Sequence, residues 1–108
     1  MAVTRPKKTD FIRAVERGVT LVDFNAPWCQ PCRDQEPIVK ALEKDFRKRA
    51  RIAILDVDEY QEVALKLGVQ SIPTIIIYRD GKEVNRFIGL QSSEILDRAL
   101  RAVIGQRR

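Results

Sequence analysis

The chain contains no histidine and only two cysteines among its 108 residues. Without an imidazole there is no Cys₂His₂ zinc site, no histidine-dependent triad and no facial-triad iron centre, because each needs that ring as ligand or proton carrier. Two thiols are too few for a disulfide-stapled framework, and none is needed. A chain of this length lies in the single-domain range and can bury roughly two thirds of its unfolded surface. No apolar run approaches the ~18 residues of a membrane span. The charged start, Met1-Ala2-Val3-Thr4-Arg5-Pro6-Lys7-Lys8, is followed by Asp10 and not by the apolar stretch of a signal peptide. A soluble cytoplasmic protein with no membrane partner is therefore expected. In that compartment thiols stay reduced, and a cysteine pair is catalytic or metal-binding rather than structural.

What is present is an ordinary globular composition, 44% hydrophobic and 32% charged, with a net charge of +5. The positive excess lies on the two ends and on Lys44-Asp45-Phe46-Arg47-Lys48-Arg49-Ala50-Arg51. This tract reads as a solvated helix end, where cations complement the helix dipole, with a binding patch as the other reading. It has no interleaved aromatics beyond Phe46, so nucleic acid is not an expected partner.

Along the chain, Thr9-Asp10 starts a short amphipathic helix carrying Phe11, Ile12 and Val15, which Gly18 ends. Residues 1–8 form an extension or a weak edge strand around Val3. The run Thr20–Phe24 reads as a buried strand interrupted by one acid, Asp23. Helical periodicity then runs from Cys29 through Ile38, Val39, Leu42 and Phe46 to about Arg49, with Pro31 in the first turn and Pro37 inside. Ile52–Val57 is a second strand. Asp58 with Gln61 has the spacing of a capping box for a helix over about 59–67, closed by Gly68. Thr74–Tyr78 and Glu83–Ile88 flank Asp80-Gly81 as a hairpin. Ser92 or Ser93 caps a last helix whose apolar face holds Ile95, Leu96, Ala99, Leu100 and Val103, with Gly105 after it. Strands alternating with helices and ending in a hairpin predict an α/β domain over residues 9–108, a mixed sheet covered by helices on both faces.

Both cysteines fall in Trp28-Cys29-Gln30-Pro31-Cys32, at a strand-to-helix junction. Three residues apart in a first helical turn, their Cα atoms are about 5 to 6 Å from one another, within disulfide reach. Free N–H groups at the helix start favour a thiolate, so Cys29 is expected to attack and Cys32 to resolve. Two reduced core cysteines would have no reason to adopt this spacing beside a turn-forming proline. A metal would need four ligands, two of them from another chain.

With these residues in view, the sequence resembles the thioredoxin family from about Thr9 to Ile104. Trp28-Cys29-x-Pro31-Cys32 matches its active-site motif, Asp23 its buried carboxylate, Pro37 its kinking proline, and Gly68–Thr74 the loop ending in a cis-proline. The resemblance implies a thioredoxin fold and a cis Ile72–Pro73 bond. It implies a Cys29–Cys32 redox disulfide, and a substrate surface comprising Trp28, Gln30, Pro31, Ile72, Pro73 and Gly89. Asp23, an acid in an apolar strand, is expected to hold its proton toward neutrality and to exchange it with Cys32. An exposed position on a strand edge is the other reading of Asp23. Trp28 is read as a partly exposed ring shielding the thiols.

Three positions depart from the family pattern. Gln30 stands where a glycine is usual, Asn25 replaces an aromatic, and Ile54 stands where many members carry a lysine near the buried acid. The implied activity is reduction of protein disulfides by dithiol–disulfide exchange, in a monomer with no bound cofactor or metal. Its electrons would come from an NADPH-dependent flavoprotein of the thioredoxin reductase type. The rivals are a disulfide isomerase or oxidase of higher potential, disfavoured by the lack of a signal, and a non-catalytic binding subunit. Against the latter stands the intact set of Trp28, Cys29, Pro31, Cys32, Asp23 and Pro73.

Overall fold

The computed structural model describes residues 8–105. The strand considered around Val3 lies outside the described residues. The elements are α1 (Lys8–Val15), β1 (Val19–Asn25), α2 (Gln30–Asp45), β2 (Arg51–Asp56), α3 (Gln61–Lys66), β3 (Thr74–Arg79), β4 (Lys82–Ile88) and α4 (Ser93–Ile104). They follow the predicted order. The sheet runs β2-β1-β3-β4, with β1 parallel to β2 and antiparallel to β3, and β4 antiparallel to β3. No helix among the described residues is long and apolar enough to cross a membrane.

The two-residue period of a strand sends alternate side chains to opposite faces. Leu21, Ile52, Ile75 and Ile77 pack with Val39, Leu42, Phe46, Leu96, Leu100 and Val103 of α2 and α4 and their ends. Val22, Phe24, Leu55, Ile76 and Tyr78 pack with Phe11, Val15, Tyr60 and Val63, the side of α1 and α3. Both central strands are thus apolar on both faces, which is why β1 and β3 read as nearly continuous hydrophobic runs. At the end of α2, the wholly buried Phe46 ring lies under the guanidinium groups of both Arg49 and Arg101, 4.7 and 5.2 Å from its centroid.

The hairpin turn is two residues long, with φ positive at both Asp80 (51°) and Gly81 (86°), the type I′ geometry that matches strand twist. Its tip is bound to the α1–β1 turn. Asp80 donates its N–H to the Gly18 carbonyl at 2.9 Å, and its Oδ1 accepts from the Gly18 N–H at 2.9 Å.

Strand ends differ from the sequence reading by a residue or so, and three helix boundaries and one helix face also differ. Helix α2 ends at Asp45, and residues 46–49 form a turn in which the Arg49 guanidinium bonds the Asp45 carbonyl. Helix α3 starts at Gln61 behind Tyr60, with no side-chain cap, because Asp58 is engaged elsewhere. Helix α1 begins at Lys8 rather than after Thr9. On α4 the buried stripe is Leu96, Leu100 and Val103, while Ile95, about 100° around the helix from Leu96, is 44% exposed. Ser92 is the cap, its Oγ accepting from the Ile95 N–H at 3.2 Å.

Candidate active site

The site is built where β1 leaves the sheet and α2 begins. Cys29 is the N-cap of α2 in extended backbone, and Pro31 occupies the first turn, where a missing N–H leaves no ladder bond unmade. Cys29 and Cys32 form a disulfide with their Cα atoms 5.2 Å apart. Cys32 is wholly buried, and Cys29 nearly so, at the surface end. The backbone N–H of Cys32 points at Cys29 Sγ, 3.2 Å away. When the bond is reduced, that amide and the positive end of the α2 dipole both favour negative charge on Cys29 rather than on Cys32.

Opposite the sulfurs stands the loop before β3. The Ile72–Pro73 bond is cis. The Ile72 carbonyl oxygen lies 3.8 Å from Cys29 Sγ, and the Ile72 side chain packs on the cluster of Ala26, Cys29 and Cys32. The Pro73 carbonyl accepts from the Gly89 N–H at 2.8 Å, so Gly89, with φ of 92°, is tied to the same wall. Gln30 and Pro31 are exposed beside the disulfide, and Gln30 Nε2 bonds Asp34 Oδ1 at 3.0 Å along the helix. Trp28 is 69% exposed. Its indole N–H donates to Asp58 Oδ2 at 3.0 Å, which holds the ring at the edge of the site and removes Asp58 from capping α3.

Asp23 is wholly buried, so the strand-edge reading is excluded. It shares the β1 face of Leu21, the side covered by α2, and its neighbours across the sheet are Ile54 on β2 and Ile75 on β3. Neither carboxyl oxygen has a hydrogen-bond partner among the described residues. Burial pushes its pKa from the ordinary 3.8 up to about 7, with the negative charge of Glu36 adding to the shift. A carboxyl in that range can take or give a proton at neutral pH. Among the described residues no group of three or more Cys, Asp and Glu side chains is arranged to hold a metal ion.

Two residues of this region escape the sequence reading. Asp58 is fixed by a contact with Trp28 across 30 residues, which no local pattern announces. Gln35 is wholly buried in α2, one turn beyond Cys32. Its signal is present in the sequence, as a polar residue on the apolar stripe of Cys32, Val39, Leu42 and Phe46.

Comparison with known proteins agrees with this geometry. The thioredoxin family model matches residues 2–102. A thioredoxin from Staphylococcus aureus is 43% identical over 100 residues, 93% of this chain and 96% of the relative. A mutant thioredoxin from Halobacterium salinarum superposes with a TM-score of 0.84 at 32% identity, over 94% of this chain and 89% of that one. The thioredoxin of Fasciola hepatica gives a TM-score of 0.77 at 36% identity, covering 88% and 89%. The fold, the paired cysteines at the start of α2 and the match over nearly the full length lead to one conclusion: this chain belongs to the thioredoxin family and is a thiol–disulfide oxidoreductase.

Proposed function

We propose that the protein reduces disulfides of other proteins, with Cys29 as nucleophile and Cys32 as resolving thiol. The Cys29 thiolate attacks one sulfur of a substrate disulfide, forming a mixed disulfide and expelling the other substrate sulfur as thiolate. Cys32 gives its proton to ionised Asp23, and its thiolate attacks Cys29 Sγ. The Cys29–Cys32 bond forms, and the second substrate sulfur leaves as thiolate to be protonated. Two electrons have passed to the substrate, and the enzyme is oxidised.

The observation that carries this reading is the Cys32 amide aimed at Cys29 Sγ at the head of α2, which distinguishes the two thiols. Trp28, Gln30, Pro31, Ile72, Pro73 and Gly89 form the surface that receives the substrate, and the backbone beside the cis-proline pairs with an extended segment. Return to the dithiol is assigned to an NADPH-dependent flavoprotein reductase, and the working form to a cytoplasmic monomer with one domain over residues 9–108.

The test is insulin reduction by dithiothreitol with and without the protein. The wild type should accelerate precipitation of the insulin B chain and Cys29→Ser should not. Equal rates for the two would refute the assignment. Equilibration with glutathione buffers then separates a reductant from a protein of higher potential, the outcome on which Gln30 bears directly.

A further inference from the structure

Gln35 makes a contact unlike any other on α2. Its Nε2 donates to the Gln91 carbonyl at 3.0 Å, and its Oε1 accepts from the Gln91 N–H at 2.7 Å. One primary amide thus reads both polar groups of a single backbone residue, as a neighbouring strand would. Gln35 itself is wholly buried, and the two bonds to the half-buried Gln91 are partly shielded from solvent.

Gln91 lies between β4 and α4, and its own side chain turns back on the loop. Its Nε2 donates to the carbonyls of Ile88 and Gly89 at 3.3 and 3.2 Å. Gly89 in turn donates to Pro73, and Ile72 faces Cys29. A chain of hydrogen bonds therefore leaves α2 one turn after Cys32 and passes through Gln35, Gln91 and Gly89 to Pro73, whose neighbour Ile72 places its carbonyl oxygen against Cys29 Sγ. The loop it holds carries Leu90, 49% exposed, and follows Ile88, the 64% exposed last residue of β4.

An apolar residue could fill the Gln35 site, but it would leave the Gln91 N–H and C=O without these partners. What the glutamine supplies is direction: it fixes where the loop stands relative to the helix that bears the thiols. We propose that Gln35 is a positioning residue that sets the Gly89–Gln91 loop against the disulfide, and so governs affinity for protein substrates without changing the reactivity of the thiols. This rests on the protein-disulfide reductase reading.

The test is steady-state insulin reduction by wild type and by Gln35→Met, which keeps length and volume but removes both bonds. KM for insulin should rise about tenfold at constant kcat, consistent with loss of one well-formed, partly buried hydrogen-bond pair. The rate with a small aromatic disulfide, and the pH profile of Cys29 alkylation, should be unchanged. An unaltered KM, or a fall in kcat with both substrates, overturns the proposal. If wild type itself fails to reduce insulin, the reductase reading fails instead. Hydrogen exchange on the unmodified protein gives an independent check should Gln35→Met not fold. The Gln91 amide should be strongly protected, and exchange as fast as at exposed amides would overturn the clamp.

Discussion

Replacing Asp23 by Asn tests the energetic consequence of burying an acid whose carboxyl oxygens have no hydrogen-bond partner among the described residues. Asn has the shape of the protonated carboxyl and cannot ionise, so it stands in for one protonation state at every pH. In the folded protein burial raises the acid from 3.8 to about 7. Below about pH 4 the folded and unfolded chains both hold the proton and no penalty exists. Between about 4 and 7 only the unfolded chain releases it, so wild-type stability falls as pH rises, by about 1.4 kcal/mol per unit. Above about 7 both states are ionised and the loss is constant. The span from 3.8 to about 7 corresponds to about 4 kcal/mol. Asp23→Asn should match wild type at pH 4 and exceed it by a few kcal/mol at pH 8, with the difference opening between those values. Guanidinium unfolding of the oxidised proteins at pH 4, 5, 6, 7 and 8 measures it. A difference that does not change with pH would refute the claim that the folded carboxyl is held protonated.

The remaining predictions concern its surroundings and the scaffold. Ile54 faces Asp23 across the parallel register, so Ile54→Lys should place a cation beside the acid and lower its pKa, which carboxyl-carbon NMR titration will read directly. Phe46→Ala removes a wholly buried ring and the platform for two guanidinium groups, and should cost about 3–5 kcal/mol in denaturant unfolding. Ser92→Ala leaves the Ile95 N–H uncapped and should cost about 1 kcal/mol by the same measurement, with the pH profile of Cys29 alkylation unchanged.

The order of elements and the place of the thiols were legible because local rules and global packing agree there. Apolar runs of the right length became β1, β2 and β3, and Pro31 marked the head of α2. Reading failed where a distant residue decided the outcome. Asp58 and Gln61 satisfy the spacing of a capping box, yet the Asp58 carboxylate goes to Trp28, and α3 opens uncapped at Gln61. Arg49 fits the helical period of α2, yet the chain leaves the helix at Phe46 and the arginine folds back to close the end. Gln35 was hidden because helical periodicity reports which face a residue occupies, and its partner is main chain 56 residues away. The cis bond at Pro73 came only from family resemblance, since the residues alone read as an ordinary turn before a strand.

The hairpin tip at Asp80 and Gly81 looks like the natural place to graft a tag, a peptide or a second domain, being short, polar and exposed. Its paired bonds to Gly18 make it a poor one. The turn joins the C-terminal hairpin to the junction between the first helix and the first strand, so lengthening it would separate segments that are 62 residues distant in sequence. A better port for insertion is a loop tip whose backbone groups make no such long-range bonds.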